Sequence, residues 1–421
     1  MSSIIQDAQR IVHDSIKAVL PDAAVLPDAA VRRALAGRQF SKPVKLIAIG
    51  KAAWRMAHAA CTTLGDQVDC GVIITKYNHS EGDIPRIEIF EAGHPVPDEN
   101  GVRGTRRALE LVRGLTQEDT VLFLVSGGGS ALFELLLEGA SLDDIAALTC
   151  QLLACGAEIT EINTLRKHLS AVKGGRFGAA CAPAQVECIV LSDVLGDSLD
   201  TIASGPAVPD QTSCEDVQRI MAKYALSVPE HLIPLLNRET PKRLTNVCTQ
   251  ITGNVTALCQ AAADSARALG YHPLLLTTTL DGEAREAGAM LASIAREIHR
   301  SGQPVQPPCA VILGGETVVH LHGKGKGGRN QELALAAADG IDGLPDTCIF
   351  SVGSDGTDGP TDAAGGIVTG EFAQKARARG LSIEAALADN DSYTILRDMD
   401  ALLVTGPTGT NVNDVCVLLC R

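Results

Sequence analysis

Several short stretches of this chain set charged, hydroxyl or glycine residues directly after an apolar run. Lys51 follows IAIG and opens a helical pattern, so a strand-to-helix turn delivers its ammonium group. A cation there faces the positive end of the helix dipole, a placement that an intervening anion relieves. The stretch LVSGGGSALFE passes from strand to helix through Ser126, Gly127, Gly128, Gly129 and Ser130. Three successive glycines cost conformational entropy, but they let backbone N–H groups approach a phosphate or carboxylate closely, with Ser130 as helix cap. In LHGKGKGGRNQELAL, Gly323, Gly325 and Gly328 formally satisfy the dinucleotide pattern G-x-G-x-x-G. Yet Lys324, Lys326 and Arg329 crowd that loop, and no strand-end acid follows until Asp355, beyond the usual offset of about 20 residues. This composition suits a triphosphate better than a nicotinamide dinucleotide. A Walker-A match is absent, which disfavours an ordinary P-loop.

Carboxylates form the next group: Asp193 and Asp197 in LSDVLGDSLD, and Asp355, Asp358 and Asp362 in GSDGTDGPTD. Their spacings are wrong for an EF-hand, whereas Mg²⁺ commonly takes one or two carboxylates plus substrate phosphates, which either loop can supply. Turn chemistry explains the same residues without a metal. The segment TGPTGTNVND, with Thr408 and Asn411, is dense in hydroxyl and amide groups suited to a polyhydroxylated ligand or phosphate oxygens. His94 in GHPVPD reads as structural before it reads as a proton shuttle. Asp98 reads as an N-cap.

These groups need strands to carry them. From residue 44 onward, short β-rich runs alternate with helical stretches: VKLIAIG, CGVIITK, IEIFEAG, TVLFLVSGGG and ECIVLSDV, then a proline-containing stretch over 227–245 without clear periodicity. A second series follows with CTQITGN, PLLLTTT, AVILGG, CIFSVGSDG and ALLVTG. The alternation predicts α/β architecture with a domain boundary near 240, giving domains 1–240 and 241–421. Each is expected to be Rossmann-like with a parallel sheet and ligand groups at the carboxyl ends of its strands. An amphipathic helix is expected within the first twenty residues, and the hexad LPDAAV repeats once at 20–31 as a local duplication.

At 421 residues the chain is long enough for two or three domains. Lys plus Arg number 36 against 50 for Asp plus Glu, a formal net charge of −14, without a basic block; this argues against a nucleic-acid surface. Thirteen scattered cysteines, lacking any Cys-x-x-Cys pair or His-Cys cluster at zinc spacing, fit free thiols in a reducing cytoplasm. No run reaches the roughly 18 apolar residues of a membrane span. The oligomeric state is left open.

The blocks IGKAAWRMA, GHPVPDENG, SGGGSALFELLLEG, NTLRKHLSAVKGGR, LSDVLGDSLDTIASGP, GGETVVH, GKGGRNQELAL, DGTDGPTDAAGG and TGPTGTNVND together resemble the class II glycerate 2-kinases, whose C-terminal half is the MOFRL domain. The resemblance runs from the first helix almost to the last strand. It implies transfer of the ATP γ-phosphoryl group to the 2-hydroxyl of D-glycerate with Mg²⁺, in a cleft between two α/β domains. It also implies that Lys51 and Arg329 act on the phosphoryl group. With it, the SGGGS loop is expected to bind one anion and Lys324 and Lys326 the nucleotide phosphates. Glu316, Asn330, Thr408 and Asn411 complete the binding set. Asp193 or Asp197 is expected to hold Mg²⁺, with Asp193 the first choice of base. The alternatives are an NAD(P)-dependent hydroxypyruvate reductase using GKGKGG as a Rossmann loop, and a non-catalytic sugar-acid sensor.

Overall fold

The computed structural model describes residues 3–20 and 30–421, apart from the side chains of Ala30 and Asp197. The LPDAAV duplication therefore lies almost wholly outside the described residues. Twelve strands form two six-stranded sheets among the described residues. The first holds β1 (Val44–Ile49), β2 (Val68–Lys76), β3 (Ile87–Ala92), β4 (Thr120–Val125), β5 (Gln185–Leu191) and β6 (Val247–Gly253) in the order β3-β2-β1-β4-β5-β6. β1 to β5 all run parallel. That order is the doubly wound one, in which the chain reverses direction between β1 and β4 and ligands bind beyond the strands' carboxyl ends.

Alternation along β1 explains why this sheet is covered on both faces. Val44, Leu46 and Ala48 turn toward Ala53, Trp54, Met56 and Ala57 of the helix Ala53–Leu64, while Ile47 and Ile49 turn toward Phe123, Phe133 and Phe177. The Phe123 and Phe177 rings lie 4.6 Å apart at 42°, and both side chains are fully buried. Truncating such a residue to alanine costs about 3–5 kcal/mol. A separate helical layer gathers Leu165, Leu169, Val217, Ile220 and Leu236 from three helices.

The second sheet holds β7 (His272–Leu280), β8 (Cys309–Gly315), β9 (Thr347–Gly353), β10 (Gly365–Thr369), β11 (Leu402–Leu403) and β12 (Asp414–Cys420) in the order β11-β10-β9-β12-β8-β7. β7 and β8 are parallel, but β12 lies antiparallel between β8 and β9, and β10 is antiparallel to β9 and β11. The α/β class stands, whereas the expectation of a second parallel sheet is corrected. Its cause is two strands absent from the sequence reading: GGIVT and DVCVLLC. All seven residues of the latter are buried at the sheet's centre.

Compact units also divide differently from 1–240 and 241–421. β6 completes the first sheet, and the first helix, Ile4–Val19, belongs with Gly253–Arg421. Its apolar stripe of Ala8, Ile11, Val12 and Val19 is buried, and its polar residues explain the attachment. Asp7 pairs with Arg421 and accepts from Tyr271 Oη at 2.7 Å, Ser265 donates to Asp14, and Thr410 donates to the carbonyl of Val19. The first unit ends at Thr252.

Candidate active site

In the parallel-sheet unit, five adjacent strand ends each deliver part of one cluster. Lys51 follows β1, Lys76 ends β2, His94 follows β3, the SGGGS turn follows β4, and Asp193 follows β5. The turn after β1 is fixed by Gly50, whose φ of +108° and approach to Ser126 exclude a side chain: a Cβ would lie 2.3 Å from Ser126 Oγ. Ser126 itself is buried. Its hydroxyl donates to the Ile49 carbonyl and accepts from the Ala52 N–H, so it ties the two strand ends together and does not face a ligand. The Lys51 N–H donates to the Gly127 carbonyl at 2.9 Å.

Each of the three glycines is crossed by a different neighbour. A Cβ on Gly127 would fall 1.9 Å from Asp193 Oδ2, one on Gly128 within 3.2 Å of the His94 ring and of Lys51 Cγ, and one on Gly129 2.7 Å from Ala203 Cβ. Lys51, His94 and Asp193 therefore all border one turn. Among the described residues, the N–H groups of Gly127, Gly128, Gly129 and Ser130 have no acceptor, and Lys51 and Lys76 have no ion-pair partner. Burial, followed by the charges of Lys51, Lys76 and His79, pushes the His94 imidazole down to about 4. A neutral histidine among uncompensated cations marks a place built for negative charge.

The far side of the turn is held by Ala203 and Ser204, both non-glycine residues at positive φ (51° and 61°). Such conformations cost on the order of 1–3 kcal/mol each and persist only where the surroundings impose them. Ser204 Oγ meets Ser130 Oγ at 2.9 Å and Asn163 Oδ1 at 3.4 Å. Ser130 therefore does not cap the helix, whose cap is Gly128 without a side-chain bond. Arg166 reaches the Ser130 carbonyl through Nη2 at 3.3 Å while its Nε is buried without a partner. Below it, Lys173 is paired with Glu134 in full burial, and Lys167 lies between Asp200 and Asp210. The side chain of Asp197 lies outside the described residues.

In the mixed-sheet unit, the charges are matched to one another. Arg329, first residue of the helix Arg329–Ala337, donates from Nε at 2.5 Å and Nη2 at 3.1 Å to Asp414, and from Nη1 at 2.8 Å to Glu316. Burial pushes the Asp414 carboxyl up to about 6 against the pull of Arg329. Asp358 accepts the Asn330 and Gln331 N–H groups and so caps that helix. Asn330 is buried, donating to Asp358 and accepting from Ser351, which withdraws it from ligand binding. The stretch 316–328 is a loop with one isolated bridge, between Val318 and Glu283.

Its glycines serve protein packing. A Cβ on Gly323, Gly325 or Gly327 would lie within 2.4 Å of Asp389, Asp391 or Ser392. The backbone N–H groups of Lys324 and Lys326 donate to the carboxylates of Asp389 and Asp391, and those of His322 and Gly323 to Asn390 Oδ1. The first part of the expected phosphate-binding loop, residues 322–326, thus has its amides already satisfied by the same chain. What remains for an anion is the Lys324 ammonium, while the Lys326 ammonium lies 4.4 Å over the Tyr393 ring. Thr408 Oγ1 donates to the Ser354 carbonyl and Asn411 Oδ1 accepts from the Asn413 N–H, so both brace their own loop. Asp98 is the expected N-cap, accepting from Gly101 at 3.0 Å.

Sequence reading underweighted His94 and passed over Lys76 and Arg166. The signal for the first two was available, since both stand at the carboxyl end of a parallel strand, the position already trusted for Lys51. Arg166 lies inside a helix and had no such mark.

Residues 7–237 match the family model described as a domain of unknown function, DUF4147, and residues 309–414 match the MOFRL family. The chain is 53% identical over 410 residues to a D-glycerate 2-kinase of Thermotoga maritima, covering 97% of both chains. It is 43% identical to a glycerate 2-kinase of Pyrococcus horikoshii, covering 97% of this chain and 96% of that one. A crystal structure of glycerate kinase from Thermotoga maritima superposes with a TM-score of 0.96 over 99% of each chain. With both family models matched in order and relatives this similar aligned over nearly their whole length, the chain belongs to the class II glycerate 2-kinase family.

Proposed function

We propose that this protein transfers the γ-phosphoryl group of ATP to the 2-hydroxyl of D-glycerate, giving 2-phosphoglycerate and ADP. The observation that carries the chemistry is the cluster at the carboxyl ends of β1 to β5: two lysines without an ion pair and four N–H groups without an acceptor among the described residues, beside a carboxylate. Phosphoryl transfer asks for positioning and for neutralisation of charge on the equatorial oxygens rather than covalent help. Lys51 and the amides of Gly127–Ser130 meet the negative charge of the reacting phosphoryl group, and Lys76 and Arg166 the glycerate carboxylate. Asp193 accepts the proton of the 2-hydroxyl as its oxygen bonds to phosphorus, while the bond from phosphorus to the ADP oxygen breaks. Arg329, oriented by Asp414 and Glu316, and Lys324 are the cations that the mixed-sheet unit offers to nucleotide phosphate.

Mg²⁺ is part of the proposal. Among the described residues no three carboxylates converge near Asp193, and Asp358 is engaged by helix amides. This donor set fits a cation held by one protein carboxylate, that of Asp193, with phosphate oxygens completing its shell. When bound, the ion would offset phosphate charge.

A relative 39% identical carries the name putative hydroxypyruvate reductase. The satisfied amides of residues 323–326 in the GKGKGG loop weigh against that reading, because a Rossmann loop needs its amides for pyrophosphate. We also read the protein as a cytoplasmic enzyme of small molecules without nucleic-acid or membrane partners; no helix among the described residues is long and apolar enough to cross a membrane.

The test supplies purified enzyme with ATP and D-glycerate, or with NADH and hydroxypyruvate, and follows ADP and NAD⁺. ADP formation is expected only in the first mixture, with phosphorus NMR showing 2-phosphoglycerate. Primary formation of 3-phosphoglycerate, or NADH oxidation alone, overturns the assignment.

A further inference from the structure

Away from the strand ends, three residues of the first unit bring nitrogen, sulfur and oxygen donors together. His168 lies in the last turn of the helix Ile159–Leu169, Cys214 opens the helix Cys214–Lys223, and Glu239 follows the helix Ile233–Leu236. One donor atom from each lies within 4.8 Å of the other two. The histidine is fully buried. Its Nδ1 stands 3.0 Å from the Thr164 carbonyl, which can only accept, so Nδ1 carries the proton and Nε2 presents a bare lone pair. Among the described residues, that Nε2 is buried without any hydrogen-bond partner. A buried unsatisfied acceptor is unfavourable and calls for an explanation.

We propose that His168 Nε2, Cys214 Sγ and a Glu239 carboxylate oxygen form a site for a thiophilic divalent cation, best matched by Zn²⁺. Zinc takes this mixture of donors, at about 2.0–2.3 Å, so tetrahedral ligands sit about 3.3–3.7 Å apart; side-chain adjustments near 1 Å close the observed cluster. The bond from Nδ1 to a backbone carbonyl is the contact that usually orients a metal-binding imidazole. On binding, the thiol loses its proton to solvent and the thiolate coordinates the ion, with water filling the fourth position. Glu239 Oε1 accepts the Cys214 N–H at 2.8 Å and Oε2 pairs with Lys242 at 2.8 Å, so the carboxylate is already aimed at the cysteine while Lys242 competes for it. With three protein ligands and this competition, affinity falls below that of four-ligand structural sites. The ion would tie two helices, one of them carrying Arg166 and Lys167, to the segment that follows a third.

Metal-free full-length enzyme is titrated with Co²⁺, which reports a cysteine ligand by a thiolate-to-metal charge-transfer band. We expect the band to saturate at one equivalent, to disappear when Zn²⁺ displaces cobalt, and to accompany a rise in melting temperature with Zn²⁺. Cys214→Ser, an isosteric change at a helix start that favours serine, should abolish the band, and His168→Gln should do the same. Cys248→Ser, at an exposed cysteine, should leave it intact, and Glu239→Gln should weaken binding about tenfold. Absence of the band in the wild type, or its persistence in Cys214→Ser, overturns the proposal.

Discussion

Two glycine-rich turns of this protein look alike as sequence and differ as structure. Among the described residues, the turn over 126–130 leaves four N–H groups without acceptors and has Lys51 and Lys76 unpaired nearby. In the turn over 323–328 the N–H groups of Gly323, Lys324, Gly325 and Lys326 are bound to Asp389, Asn390 and Asp391, and the arginine that follows it is held by two carboxylates. Glycine therefore signals close approach of the chain's own groups in both, but in one the charge nearby is unmatched and in the other backbone N–H groups and arginine meet the chain's own carboxylates. Unmatched positive charge separates the two, and it predicts where anion binding is strong and where substitution costs stability instead.

The largest effect should come from Lys51→Ala. Loss of a preorganised donor to transition-state charge lowers kcat by on the order of 10²–10³. Melting temperature should hold, since the lysine makes no ion pair whose loss would leave a buried partner. Steady-state kinetics with a thermal melt decide it; near-normal kcat, or a loss explained by unfolding, removes Lys51 from the reaction.

Arg329→Ala should instead show the mixed signature of the matched region, with activity and stability falling together. Leaving Asp414 buried without its partner costs about 3–5 kcal/mol for a fully buried pair, and less here because the Arg329 side chain is 33% exposed. Arg329→Lys should not restore activity, because a point charge cannot reproduce the fork that spans Asp414 and Glu316. An unchanged melting temperature in both variants breaks the contrast between the regions.

Asp193→Asn should reduce kcat and raise the Mg²⁺ concentration for half-maximal rate, and chelation should abolish turnover. Should this variant retain normal kcat and normal metal dependence, both the ion and the base belong elsewhere.

The smallest effect is a titration. His94 should stay neutral in the free enzyme down to near pH 5, its folded value of about 4 lying below the ordinary 6.5. A lowered histidine value means that folding disfavours the protonated form, so this group destabilises the fold as pH falls from about 6.5 toward 4 and is silent above. Binding of 2-phosphoglycerate should raise the value by screening Lys51 and Lys76. Imidazole NMR shifts measure it, and a free-enzyme midpoint near 6.5 contradicts the cationic cluster.

Much of this was legible beforehand for a local reason. Short β-rich runs alternating with helical stretches mark β1 to β5, Asp98 caps the helix that follows it, and Lys51, the SGGGS turn and Asp193 all follow strand ends. These signals depend on neighbours within a few residues. Strand pairing and acceptor identity do not. The buried run DVCVLLC carries no mark that it lies antiparallel between β8 and β9, and the first helix carries no mark that its Asp7 pairs with Arg421.

By itself, then, the sequence determined the α/β class, the parallel first sheet and the family, because strand periodicity and long motif blocks are written in contiguous residues. Only the tertiary structure decided that the amides of Lys324 and Lys326 are satisfied within the chain, since their acceptors at Asp389 and Asp391 lie 65 residues from the donors. The same holds for His94 beside Lys51, and for His168, Cys214 and Glu239, whose spacing matches no local metal motif. Those encounters arise from packing between distant segments, where the free energy of burial places side chains together that the chain order keeps apart.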